Sequence, residues 1–140
     1  MVIFSTSVYS SSASYKNMTI EVPDEWKINA SVLYDENGAK EGELISKKSW
    51  PYNSGLEFIN AFKKGFVDDP ESIKYISSGS EKDVFWVCRS GIYEDGKGGF
   101  GIWYSRTFWV NGPIAVFYSY KSCEEKFNEA LEVAKTLKEK

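Results

Sequence analysis

The chain has no histidine among its 140 residues, and this removes at once the commonest general base near neutral pH and the commonest metal ligand. Hydrolase and zinc-site readings fall with it. Only two cysteines occur, Cys88 and Cys123, and they form no C-x-x-C pair, so neither a zinc ribbon nor a thioredoxin-like motif is present. Lys and Arg number 17 against 20 Asp and Glu, for a net charge of -3. With no basic excess to track phosphates, nucleic acid is not expected as a partner. No apolar run approaches the roughly 20 residues of a membrane-spanning helix. Only four prolines occur, so each is informative as punctuation.

What is abundant is aromatic: 16% of the residues are Phe, Trp or Tyr, within a hydrophobic content of 42%. A chain of this length buries a core without metal or disulfide support. Between Lys82 and Lys121 the runs Val84-Phe85-Trp86-Val87-Cys88, Phe100-Gly101-Ile102-Trp103-Tyr104 and Ile114-Ala115-Val116-Phe117-Tyr118 are β-branched or aromatic on both alternating faces. Strands covered above and below read this way.

The alternation predicts strands over Tyr15–Pro23, Lys27–Asp35, Glu41–Lys47, Ser72–Ser77, Asp83–Arg89, Phe100–Val110 and Ile114–Lys121. Pro23 closes the first, and Pro23-Asp24-Glu25-Trp26 is a turn in which Pro23 and Trp26 are structural residues. Asn37-Gly38 marks a hairpin. A loop of Asn37 to Ala39 would pair Val32 with Leu44 and Glu36 with Lys40. Ser78-Gly79-Ser80 reads as a turn, Gly91 to Gly99 as a flexible hairpin end, and Asn111-Gly112-Pro113 as a tight turn.

Two capping boxes, Ser54-Gly55-Leu56-Glu57 and Ser122-Cys123-Glu124-Glu125, predict helices over Gly55–Phe66 and Cys123–Lys138. The first places Leu56, Ile59, Phe62 and Phe66 on one stripe, and Pro70 forbids its continuation. The second carries Phe127, Ala130, Leu131, Ala134 and Leu137 on one face and Glu and Lys on the other. Short turns between strands make the sheet antiparallel, and each helix must bury its stripe on it. The expectation is one α+β domain over residues 15–140, a mainly antiparallel sheet of about six to seven strands with a mid-chain and a C-terminal helix.

Residues 1–14, with the run Ser10-Ser11-Ser12-Ala13-Ser14, are either a flexible amino terminus or the trimmed end of an export signal. Asn17-Met18-Thr19 and Asn29-Ala30-Ser31 match the glycosylation acceptor pattern, which matters only in an exported chain. Asp68-Asp69 with Glu71, and Glu94-Asp95, lack calcium-loop spacing. Gly96-Lys97-Gly98-Gly99 lacks the phosphate-loop pattern. No metal or organic cofactor and no catalytic residue is therefore expected. Trp50, Tyr52 and Tyr93 fall in loops, where an exposed ring can anchor a partner.

The cysteines leave two readings open. The strands of Cys88 and of Ile114–Lys121 run parallel, so Cys123 opens the last helix at the edge where Cys88 ends its strand. Strands two apart sit about 9.6 Å from each other, beyond the roughly 4.4–6.8 Å that a disulfide spans unless the helix bends inward. They are either bridged or two buried thiols.

The turn Val22-Pro23-Asp24-Glu25-Trp26, the mid-chain helix, the block of long strands and the final helix through Val133-Ala134-Lys135-Thr136-Leu137-Lys138 together resemble the PsbP-like superfamily. That group includes the photosystem II extrinsic protein, a Ran-binding import factor and DcrB-like lipoproteins. The resemblance implies a non-enzymatic domain that binds another protein or supports an assembly. It also implies an extracytoplasmic or membrane-associated place, with the cytoplasm as the alternative, and membrane proximity only through a segment preceding Met1, since the lipobox cysteine is absent. A carrier for an apolar or carbohydrate ligand is the second expectation, and it requires a cavity among the aromatics.

Overall fold

The computed structural model describes residues 11–64 and 73–140. Its strands are β1 (Ser11–Tyr15), β2 (Met18–Val22), β3 (Lys27–Asn29), β4 (Val32–Tyr34), β5 (Lys40–Ile45), β6 (Ile73–Glu81), β7 (Val84–Glu94), β8 (Phe100–Val110), β9 (Ile114–Ser119) and β10 (Lys138–Glu139). The helices are α1 (Gly55–Lys64) and α2 (Phe127–Ala134). Seven strands form one antiparallel sheet in the order β3-β4-β5-β9-β8-β7-β6, and three form a second in the order β1-β2-β10. The fold is the expected α+β arrangement, with a mid-chain and a C-terminal helix.

The long strands are apolar on both faces because both faces are covered. On one, Leu33, Leu44, Val84, Phe108, Val110, Ala115 and Phe117 meet Met18, Ile20 and Val22 of β2 and Ala130, Leu131, Val133 and Ala134 of α2. On the other, Val87, Trp109, Ile114 and Val116 meet Phe58, Ile59 and Phe62 of α1. Thr136 ties α2 to β2, accepting from the Glu21 amide at 2.8 Å and donating to Val133 at 2.7 Å.

Several boundaries differ from the sequence reading, each for a local reason. The expected strand Lys27–Asp35 is a hairpin, β3 and β4, reversed at Ala30, whose φ is +52°. Alternation has the same period whether or not the chain turns back. Lys40 pairs with Tyr34 rather than Glu36, because the turn closes between Asp35 and Ala39 (Asp35 N–H to Ala39 O, 2.8 Å), and a bulge between Leu33 and Tyr34 then takes back one position, so that Val32 pairs with Glu43 rather than Leu44. Ser11–Ser14, expected in the terminal segment, are the first residues of β1.

Gly79 lies inside β6 rather than in a turn. A Cβ there would fall 2.6 Å from Trp86, so this glycine makes room for a ring, and the chain reverses at Lys82 instead, φ +54°. Leu56 is not on the buried stripe of α1: it is exposed, and Gly55, Phe58, Ile59 and Phe62 face the sheet. Gly55 sets that rotation, since a Cβ on it would fall 2.0 Å from the Phe85 ring. Phe66 lies outside the described residues.

The second capping box does not start a helix at Cys123. Glu125 N–H does donate to Ser122 Oγ at 3.1 Å, but Lys126 takes φ +52° and α2 begins at Phe127. The carbonyls that a helix from Cys123 would use are occupied. Arg106 Nη1 donates to Cys123 O at 3.1 Å and to Glu125 O at 2.5 Å, and its Nε donates to Phe117 O at 3.1 Å. Held this way, the segment after β9 crosses β8, and Cys123 is disulfide-bonded to Cys88 with a Cα separation of 6.0 Å. Burial pulls the Arg106 guanidinium below its ordinary pKa, against the attraction of Glu125 and Glu41.

Candidate functional site

Strand β8 outruns its neighbour β9. The β6 ladder stops where Ile73 meets Gly91, and the β9 ladder stops where Ser119 meets Tyr104. Beyond those points Ile92 to Glu94 and Phe100 to Trp103 pair only with one another among the described residues. The result is a two-stranded ribbon, so the hairpin end expected over Gly91 to Gly99 is ordered strand as far as Glu94 and turns only between Asp95 and Gly99. Its tip is closed by Asp95, whose Oδ1 accepts from the amides of Lys97 at 2.7 Å and Gly99 at 3.0 Å. Asp35 closes the β4–β5 turn the same way, accepting from Asn37 at 2.8 Å and Ala39 at 2.9 Å.

The ribbon is built from two tripeptides, Gly91-Ile92-Tyr93 and Gly101-Ile102-Trp103, paired antiparallel about Ile92 and Ile102. Each aromatic therefore meets the other tripeptide's glycine. A Cβ on Gly91 would fall 2.0 Å from Trp103 Cζ2, and one on Gly101 would fall 2.4 Å from the Tyr93 ring. Aromatic over glycine is a known device for pinning register in exposed strands.

The two faces differ. One shows Ile92, Ile102 and Phe100, with exposures of 55%, 51% and 72%, and Glu94 lies opposite Phe100. The other shows Tyr93, Trp103, Tyr118 and Tyr120. Tyr93 and Tyr120 meet edge to face at 5.4 Å. Trp103, Tyr118, Tyr120 and Lys40 line an open cavity of about 320 Å³. Lys40 Nζ sits 4.9 Å from the Tyr118 ring centre and 3.3 Å from Glu43. Burial raises the Tyr118 hydroxyl pKa, with Lys40 opposing.

Of the three anchor candidates, Trp50 and Tyr52 share a cleft and Tyr93 is apart from it. Trp50 packs on Phe62 at 5.7 Å, and Tyr52 on Phe58 at 5.8 Å and Phe62 at 6.1 Å. They line a cleft of about 290 Å³ with Arg89, whose guanidinium lies 4.4 Å over Phe62. Burial lowers the Arg89 pKa and raises that of Tyr52. Both aromatics close the α1 side of the core, so they are half-buried rather than free loop rings. Pro23 accepts from the Trp26 amide at 3.0 Å, and Trp26 packs on Phe117 at 6.4 Å.

Ile92, Phe100, Ile102, Trp103 and Tyr120 escape sequence reasoning, because an aromatic strand reads as covered throughout. The repeated Gly-Ile-aromatic tripeptide was the available signal. Among the described residues no three acidic or cysteine side chains converge as metal ligands, and no helix is long and apolar enough to cross a membrane. No protein-family model matches the chain, and no curated protein matches it.

Proposed function

We propose that this chain is a non-enzymatic, PsbP-like protein-binding module that docks its partner on the aliphatic face of the β7–β8 ribbon. One observation carries the proposal: Ile92, Phe100 and Ile102 stand exposed together on one face of the β7–β8 ribbon, beyond the end of β9. An isolated two-stranded ribbon is marginal in water, and clustered exposed apolar side chains mark interaction sites. Contact would stabilise both. With Glu94 and Asp95 against Lys97 the tip carries one negative charge in excess, which favours a protein surface with a basic rim over anionic lipid. The element order and the covered antiparallel sheet fit the PsbP-like reading. The Cys88–Cys123 bond fits an extracytoplasmic, oxidising compartment.

Photo-crosslinking in cells of the source organism tests the docking face. A benzophenone side chain at Ile102 should give a discrete protein adduct, whereas one at Leu56, also exposed, should not. Equal adducts at both positions, or none at Ile102, contradict the proposal.

A further inference from the structure

The opposite face of the ribbon carries a different chemistry. Trp103 and Tyr93 are pressed against Gly91 and Gly101, so their positions are fixed before any ligand arrives. Tyr120 stands at 75° to the Tyr93 ring and is 69% exposed. Together they make a floor and a wall. The rim is polar: Lys40 and Glu43 form an ion pair at 3.3 Å, and the Tyr118 and Tyr120 hydroxyls add donors and acceptors.

We infer that the cavity of Trp103, Tyr118, Tyr120 and Lys40 is a subsite for a neutral, β-linked oligosaccharide with equatorial substituents. Such a pyranose offers flat C–H faces to the aromatic floor and a ring of hydroxyls to the rim. The volume, about 320 Å³, takes about one or two rings of a longer chain. The openness of the groove suits a polymer that runs through it. An apolar ligand would require an enclosed apolar pocket, and among the described residues no aliphatic side chain lines this one. The charge of Lys40 is met by Glu43, which favours neutral sugars over acidic ones. This inference goes beyond the protein-docking proposal and rests on the other face of the ribbon.

Isothermal titration and tryptophan fluorescence with cellohexaose and chitohexaose test it, with maltohexaose for comparison. At least one β-linked hexamer should bind and shift the emission, and maltohexaose should bind more weakly. Trp103→Ala should weaken that binding by roughly tenfold or more. Because Trp103 also packs on Gly91, Tyr120→Ala is the second variant: it should weaken binding with an unchanged melting temperature. Ile102→Ser should leave sugar binding intact while removing the partner contact, so the two proposals fail separately. No binding of either β-linked hexamer at millimolar concentration, or binding that survives both Trp103→Ala and Tyr120→Ala, overturns the inference. So does binding lost instead in Trp50→Ala with an unchanged melting temperature.

Discussion

The indole of Trp103 occupies the space that a side chain on Gly91 would need, with Cζ2 standing 2.0 Å from where a Cβ would sit. Gly91→Ala therefore pits two effects against each other. Restricting the unfolded chain gains about 0.4–1 kcal/mol, and overpacking costs about 1–3 kcal/mol. The cost wins. The loss should appear first as faster amide exchange at Ile92 to Glu94 and Phe100 to Trp103, because among the described residues these pair only with each other.

Arg106 and the disulfide hold the same crossover, so their contributions should not add. Arg106→Leu leaves the carbonyls of Phe117, Cys123 and Glu125 without their donor and should cost about 3–5 kcal/mol in urea unfolding. Closing a loop of 35 residues contributes about 3–4 kcal/mol by chain entropy, which Cys88→Ala with Cys123→Ala should remove. A double-mutant cycle joining the two changes should give a coupling of at least about 0.5 kcal/mol. Strict additivity would show that the crossover is held elsewhere.

Acid stability follows from the two aspartate-closed turns. Backbone amides, those of Ala39 and Asn37 at Asp35 and those of Lys97 and Gly99 at Asp95, hold both carboxyls below their ordinary pKa. A depressed carboxyl contributes stability that is fully present above its unfolded pKa, about 3.9, and lost as pH falls through its lower folded value. Glu41 has the opposite sign. Burial and then Asp35 raise its pKa, so its contribution is present at low pH and lost as pH rises through the folded value. Asp35→Asn and Asp95→Asn should each flatten the fall of melting temperature between pH 5 and pH 2, windows set by those directions. An unchanged slope in both variants would contradict the assignment.

How far the residues announced this structure depended on what each signal constrains. Unbroken β-branched and aromatic runs placed the long strands, since Val87 hides on the α1 side of the sheet and Phe108 and Phe117 hide on the α2 side. Alternation did not reveal the reversal at Ala30, because side chains alternate equally along a straight strand and a tight hairpin. Capping chemistry located α1, where Glu57 N–H donates to Ser54 Oγ at 3.1 Å. It failed at Ser122, because a distant arginine took the carbonyls that the helix required. The ribbon was hidden for a related reason. Composition shows that Phe100 and Ile102 are apolar, and only the tertiary arrangement, with β9 ending at Ser119, decides that they stand exposed.

Native mass photometry of the tagged protein, taken directly from lysates of the source organism, tests the docking claim most directly. The wild-type chain should run in a complex well above its 15.9 kDa. The triple variant Ile92→Ser, Phe100→Ser, Ile102→Ser should fall to the monomer with an unchanged melting temperature, while Leu56→Ser should remain in the complex. A wild-type chain found only as monomer, or a triple variant that keeps the complex, would contradict the ribbon as the docking surface.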